Sequence, residues 1–398
     1  MDKRLLVIGA GFLQSFIIKK AKEMGIYVLA LDGDKDAEGF KYADEFEIID
    51  ITNFEKCLKY AQEKFIDGVM TGATDYGVIT TSYIAEKLNL PGIEMNISKL
   101  VKDKYQISRV LNEINHNYFK QLYKIRDVKE LDELQCKLSY PVIVKPIDGS
   151  GSKGVNKVNC LDELNKCVID ALNNSKLGVA MIQDYIVGKE YGADVFVYAN
   201  KITVYGPIGK KMTSSPYYAE LGHYYPTTLD EDKIISQIVF YIKKLNITFG
   251  AYNIDYIVDE YNNICIIDMG ARLGGNLISS HIVPLAFNED YLGNVIRITM
   301  GWEPIYNNKK SKYNVLSKIL ALDEGKVISY DTQFKEDIYR NNVIFEDHIN
   351  VGNYINKYRN NLDGMGYIIL YGENSMERLD KESEEIIQKI NHSIRRQL

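Results

Sequence analysis

Pro141-Val142-Ile143-Val144-Lys145-Pro146-Ile147-Asp148-Gly149-Ser150-Gly151-Ser152-Lys153-Gly154-Val155 runs from an apolar, β-branched stretch into a loop of small residues. The first part reads as a buried strand. A lysine at a strand end, followed by glycines and serines, is how a protein holds polyphosphate. Backbone N–H groups of Gly149 to Gly154 turn inward, the hydroxyls of Ser150 and Ser152 donate, and Lys145 supplies charge. The lysine precedes the glycines and no G-K-[ST] occurs in the chain, so this is not a Walker loop. Alone, the string equally describes a hairpin loop with a solvated Lys153.

Its company decides between the two. Met181-Ile182-Gln183-Asp184-Tyr185-Ile186-Val187-Gly188-Lys189-Glu190-Tyr191 follows, then Asp255-Tyr256-Ile257-Val258, then Ile266-Ile267-Asp268-Met269-Gly270-Ala271-Arg272-Leu273-Gly274-Gly275-Asn276. In a hairpin, Asp255 and Asp268 lie opposite each other and point to one side. Two converging carboxylates repel unless a cation sits between them, and hard oxygen ligands suit Mg²⁺. Arg272 offers a fixed positive fork for a transferring phosphoryl group.

Outward from this core, the N-terminal part alternates. Leu5-Leu6-Val7-Ile8 is a strand closed by Gly9-Ala10-Gly11, a helical face of Phe12, Phe16, Ile17 and Ala21 follows, and residues 27–31 form a second strand ending at Asp32. Strand, helix, strand at this spacing implies a parallel crossover. Gly9-x-Gly11 with Asp32 is close to a dinucleotide fingerprint, but Gln14 stands at the third glycine position. A tight structural turn, or a contact to another small ligand, is the better reading. Further strands are expected at 46–49 and 68–70, with a helix over 53–64 between them. A helical stretch from about Ser98 opens the middle region, where strands recur at 180–185, 191–197, 202–206, 251–258 and 264–268, the mark of an antiparallel α+β core. The tail carries short strands (315–320, 365–371) and a closing helix over about 375–395.

The order of these motifs resembles the ATP-grasp superfamily over nearly the whole chain. The resemblance implies a mixed α/β and α+β fold: a Rossmann-like domain over 1–96, an ATP-grasp nucleotide domain of two α+β subdomains over 97–306 with its lid at about 108–187, and a small C-terminal α+β segment over 307–398. It also implies roles for single residues. Asp103-Lys104 matches the family's D-K helix start, with Lys104 at a phosphate, and Lys145 matches the strand lysine beside the α-phosphate and adenine. Gly149 to Gly154, with Ser150, Gly151 and Ser152, matches the lid loop. Gln183, Tyr185 and Ile186 match the adenine hinge, with Gln183 where a Glu is usual, and Glu190 matches the acid at the ribose. Asp255 and Asp268 match the metal acids, and Arg272 the arginine of the E-x-N-x-R signature. Two departures stand out: the signature acid is Asp268, one methylene short, and its asparagine is Gly270, for which Asn276 is a second candidate.

Glu220-Leu221-Gly222-His223-Tyr224-Tyr225-Pro226 resembles the E-x-G-H-x-x-P stretch of ATP-grasp amino-acid ligases. There the histidine faces the reacting carboxyl, where it stabilises acyl-phosphate charge or manages an amine's proton. The competing reading is an aromatic surface loop with a solvated histidine. Gly275 and Asn276 allow close backbone approach to a substrate. Lys210 and Lys211 are either solvated or steer an anion.

Composition agrees with this reading. The 398 residues are 46% hydrophobic and 26% charged, enough for two or three domains. The net charge of −6 has no basic block, which argues against nucleic acid. None of the five cysteines forms a C-x-x-C pair, so reduced, buried thiols and a cytoplasmic setting are expected. No apolar run is long enough for a bilayer, so no membrane partner is expected. The expected function is an ATP-dependent carboxylate–amine ligase acting through an acyl phosphate, with ATP and Mg²⁺ (or Mn²⁺), small-molecule carboxylate and amine substrates, and a homodimer as one assembly. The alternatives are a carboxyphosphate- or carbamoyl-phosphate-type enzyme and a non-catalytic ATP sensor.

Overall fold

Leu5 and Val7 point to one face of the first strand, Leu6 and Ile8 to the other, and each pair enters a different apolar core. That two-sided burial makes Arg4–Ile8 the centre of a parallel sheet, flanked by Tyr27–Asp32 and then Glu45–Ile48 on one side and by Gly68–Met70 on the other. The helix Phe12–Glu23 covers one face together with Tyr291–Thr299, a helix from the middle of the chain. This computed structural model describes residues 3–115, 119–134, 136–149, 151, 153–214, 219–307, 311–338, 342–360 and 363–397.

The helical stretch expected from Ser98 is two helices, Met95–Lys102 and Lys104–Ile114. Asp103 breaks it: its carboxylate accepts from the N–H groups of Tyr105 and Gln106, both at 3.0 Å, and so starts a new helix at Lys104. A small antiparallel sheet follows, ordered Leu122–Ile125, Ala180–Asp184, Val142–Pro146, Asn156–Val158, with the helix Leu161–Asn173 packed on it.

The largest sheet is antiparallel, ordered Ile264–Gly270, Gly250–Val258, Lys189–Tyr198, Lys201–Met212, Glu220–Tyr225, Asn314–Ile319, Gly366–Gly372, Val343–Asp347. Glu220–Tyr225 is therefore a strand, not a surface loop, and it joins the strands of the middle region to those of the tail. The closing helix ends at Ser393, and Ile394–Gln397 turns into a strand of a third small sheet. All five cysteines are free, but burial holds only for Cys57; Cys136 and Cys160 are exposed. No described helix is long and apolar enough to cross a membrane.

Candidate active site

A cleft of about 310 Å³ lies between the small and large antiparallel sheets. Ile143, Lys145, Gln183, Tyr185 and Ile186 line it from one side, and Glu190, Asp255, Ile257, Ile267 and Asp268 from the other. Gln183 is 2% exposed, and its side-chain oxygen has no hydrogen-bond partner among the described residues. A buried acceptor without a donor costs on the order of 1–3 kcal/mol, so such an atom marks a place where a ligand donor belongs. The neighbouring Asp184 points elsewhere and fastens the small sheet, accepting from the backbone N–H groups of Lys120 and Gln121 at 2.6 and 2.9 Å. Lys157 lies 3.9 Å from the centre of the Tyr185 ring. Lys145 is buried and donates to the Ile267 carbonyl at 3.0 Å. Burial first, and Lys104 next, push its ammonium down to about 8. Gly151 lines the cleft, while Ser150 and Ser152 lie outside the described residues.

Asp255 and Asp268 are register partners across the hairpin. Each already meets a lysine. Lys104, the first residue of its helix, contacts the Asp268 carboxylate; burial opposes its charge, but Asp268 and Asp75 raise its pKa. Asp255 meets Lys210, whose ammonium lies 2.8 Å from each of Glu190, Glu220 and Asp255. The three acids present oxygens within 4.8 Å of one another, and Lys210 is the cation that makes this tolerable. The solvated Lys210 of the sequence reading is thus corrected: its side chain is 1% exposed. One ammonium does not neutralise three carboxylates equally. Burial pushes Asp255 up to about 7 despite Lys210, whereas Lys210 outweighs burial at Glu220 and holds it at about 2.

Arg272 is held by a residue the sequence did not single out. Its Nε donates to Asp75 at 2.8 Å, and its Nη1 to the Leu273 carbonyl at 3.0 Å. Asp75 comes from the loop after Gly68–Met70 in the first domain. Burial alone would raise it, but Arg272, Lys104 and Lys102 hold it at about 2. A Cβ on Gly270 would lie 3.2 Å from Asp75 Oδ1 and 3.3 Å from Arg272 Cζ. A side chain at this position would therefore press on the Asp75–Arg272 pair, which would have to shift by a few tenths of an ångström to admit it. Nothing in Gly72-Ala73-Thr74-Asp75-Tyr76-Gly77 announces this.

A second cavity, of about 430 Å³, opens beside His223, Asn276 and Leu277. His223 is 1% exposed, and neither ring nitrogen has a hydrogen-bond partner among the described residues; Glu220 Oε2 is 3.9 Å away. Burial lowers its pKa to about 4, so the ring is neutral near pH 7. Gly222 is required because Ser317 runs alongside: a Cβ there would sit 2.0 Å from the Ser317 carbonyl oxygen. Asn276 donates to the Glu220 carboxylate, and the Tyr358 hydroxyl to the Glu220 carbonyl. Asn276 and Leu277 are consecutive left-handed residues, φ +47° and +67°. Buried Asp194 pins the turn just before them, accepting from the Gly274 N–H at 3.2 Å and from the Ser279 hydroxyl. Strained backbone of this kind persists only where its surroundings impose it. Gly275 instead lies against Ala73 and is not among the cavity's lining residues.

Phe12, Leu13 and Gln14 of the first domain line the same cavity, as do Ser317, Lys318, His348 and Tyr367 of the tail. The N-terminal glycine turn therefore faces this space, and its fingerprint elements are spent internally. Asp32 accepts from the Ala10 N–H at 2.7 Å, and Gln14 donates to the Gly72 carbonyl at 2.5 Å.

Comparison with known proteins agrees with this architecture. A family model described as "ATP-grasp domain" matches residues 138–280, and one described as "ATP-grasp N-terminal domain" matches residues 18–92. A formate-dependent phosphoribosylglycinamide formyltransferase from Prochlorococcus marinus is 25% identical over 175 residues, 44% of this chain and 45% of that protein. The match thus spans less than half of that relative's length. A phosphoribosylglycinamide synthetase structure from Anaerococcus prevotii superposes with a TM-score of 0.77 at 25% identity, covering 100% of both chains. An L-amino acid ligase structure from Bacillus licheniformis superposes with a TM-score of 0.82 at 20% identity, covering 100% of this chain and 99% of that one. With a parallel N-terminal domain, two antiparallel sheets closing on a lysine-lined cleft and both family models in chain order, this protein belongs to the ATP-grasp superfamily.

Proposed function

We propose that the chain is an ATP-dependent ligase that joins a small-molecule carboxylate to an amine through an acyl phosphate, releasing ADP and phosphate. One observation carries this reading: the first cleft is polarised, with the unpartnered Gln183 acceptor buried in it and Lys104, Lys145, Asp255 and Asp268 gathered along it. An acceptor aimed at an amino group and cations placed for phosphate are what a nucleotide triphosphate requires.

In this reading the Gln183 oxygen accepts from the adenine amino group, Tyr185 and Ile186 flank the ring, and Glu190 faces the ribose. Lys104 and Lys145 hold phosphate oxygens, as does the loop from Gly149 to Gly154. Asp255 and Asp268 are side-by-side hard donors that fit Mg²⁺ or Mn²⁺, which neutralises polyphosphate charge when bound. They would share it with the two lysines they now pair with. Arg272, locked by Asp75, keeps a fixed orientation toward the group being transferred. His223, neutral and without a hydrogen-bond partner among the described residues, takes the proton of the attacking amine. Glu220 and Asn276 brace one another beside it.

The test is a coupled ADP-release screen of the purified chain with Mg²⁺, ATP and pairs of carboxylates and amines, with mass spectrometry of the product. ADP release that needs both partners and yields their amide is the expected result. Tight Mg·ATP binding with no release for any pair would leave a nucleotide binder and overturn the ligase.

A further inference from the structure

The second cavity narrows the amine partner. Most polar groups along its wall are already committed. Lys318 is paired with Asp380 at 2.8 Å and also with Glu384, and the Tyr367 hydroxyl donates to Glu346 at 2.9 Å. The Ser317 hydroxyl accepts from the His223 N–H at 3.1 Å.

Two features of the wall are suited to hold a polar ligand. The helix Phe12–Glu23 presents its N-terminus to the cavity; its cap is Gly11, no side chain caps it, and its first turn holds no acid. The N–H groups of a first turn have no partner inside the helix and attract a negative group. The second feature is independent: the buried His223 ring, both of whose nitrogens are without a partner among the described residues. Between them the wall is apolar, with Phe12, Leu277, Ile319 and Tyr367, and the Phe12 ring lies 5.1 Å from that of His348.

We infer that this cavity receives an unphosphorylated α-amino acid with an apolar side chain, of the leucine or phenylalanine class, its carboxylate on the N–H groups opening the Phe12–Glu23 helix and its amino group facing His223. The inference rests on the ligase reading, in which this amino acid supplies the attacking amine. A phosphate ester would use the same helix end, but it carries nearly two charges. A helix terminus offers roughly half a charge. Among the described lining residues the cation, Lys318, is already neutralised by two acids. A monoanionic carboxylate with an apolar body matches what is left.

The experiment is a thermal-shift and calorimetric titration of the full chain, saturated with Mg²⁺ and a non-hydrolysable ATP analogue. The probes are L-leucine, L-phenylalanine, glycine and ribose 5-phosphate. Leucine or phenylalanine should bind, glycine should bind about 10- to 100-fold more weakly for want of a buried side chain, and ribose 5-phosphate should not bind. Phe12→Glu should abolish amino-acid binding by placing an acid at the helix end, while analogue binding persists and so reports intact folding. Phe12→Leu should retain both. Binding of ribose 5-phosphate without either amino acid, or analogue binding with no response to leucine or phenylalanine, overturns the inference and leaves the ligase reading standing. Failure of the parent chain to bind the analogue removes the ligase reading, and the inference with it.

Discussion

Asp255 and Asp268 stand opposite each other on one hairpin, yet they live in different electrostatic settings. Asp268 pairs directly with Lys104, with Lys145 close by, and those charges outweigh burial and hold its pKa below the usual carboxylate value. Asp255 shares Lys210 with Glu190 and Glu220, and burial pushes it up. The hairpin decides only that two acids are adjacent. Which of them carries a secure negative charge is decided by lysines from distant segments. Asp268 is thus suited to hold position near a cation, and Asp255 belongs to a shared, charge-balanced cluster.

The strongest way to break this comparison is to remove the shared cation. Lys210→Met leaves three part-buried carboxylates without their buried ammonium, and breaking a buried ion pair from one side costs about 3–5 kcal/mol, an upper figure for acids this exposed. The melting temperature should fall sharply at neutral pH. The sign with pH follows from the acids: without the ammonium that holds Glu220 down and opposes burial at Asp255, burial raises the folded-state pKa of both, so they destabilise the fold above their ordinary titration range and stop doing so once protonated. The deficit should therefore shrink as pH is lowered toward 5. A deficit independent of pH would mean that Lys210 matters for packing and not for charge.

Asp268→Asn attacks the other half. It should lower turnover by on the order of 10²–10³-fold, the scale for losing a group that acts where charge develops, with a far smaller effect on ATP affinity. Single-turnover rates and direct nucleotide binding separate the two. Combined with Arg272→Ala, it should cost less than the sum of the separate losses. Full turnover in Asp268→Asn would remove it from the phosphoryl site.

How much of this was legible beforehand depends on the range of the contacts. Local pattern was enough for the parallel first domain, the strand ending at Lys145 and the hairpin that pairs Asp255 with Asp268, whereas it ran one helix from about Ser98 and only the family resemblance marked a start at Asp103-Lys104. Contacts between distant segments were not. Asp75 meets Arg272 across 197 residues, and no local signal predicts a loop aspartate there. The burial of His223 depends on Asn314–Ile319 pairing beside its strand, which an aromatic, turn-like sequence disguises. Lys210 looked like a surface lysine because its three acids come from three other strands.

Asp75→Asn probes that unforeseen contact. The substitution keeps the shape and removes the charge facing Arg272, and a hydrogen bond to a charged group contributes about 1.5–3 kcal/mol. Turnover should drop roughly 10- to 100-fold, with nucleotide affinity nearly unchanged, because Asp75 acts through Arg272. A rise in the ATP dissociation constant with normal turnover would place Asp75 on the binding side instead.

Lys145 provides a smaller, pH-dependent effect. Its ammonium titrates near 8 in the free protein, so it is charged below that pH and neutral above it. Phosphate oxygens favour the charged form. ATP binding should therefore take up a proton above about pH 8, with affinity falling by up to about tenfold per pH unit there and no uptake near pH 6. Calorimetry in buffers of different ionisation enthalpy reads the proton directly. Lys145→Arg should abolish the uptake, since a guanidinium stays protonated.

The smallest effect is the most specific, because it should change sign between the empty and the loaded protein. The Gln183 oxygen is buried without a partner among the described residues. Gln183→Leu replaces it with an apolar group of similar length, removing an unsatisfied acceptor from between the strands Leu122–Ile125 and Val142–Pro146. The nucleotide-free protein should become slightly more stable, since an apolar residue avoids the desolvation cost of the lone acceptor. ATP affinity should fall, by about 0.5–1.5 kcal/mol for one neutral hydrogen bond. Melting curves with and without Mg·ATP should therefore cross: the variant melts above the parent when empty and gains less from nucleotide. A variant that is less stable when empty would show that the oxygen is satisfied inside the fold. An unchanged gain from nucleotide would show that the adenine amino group is read elsewhere in the cleft.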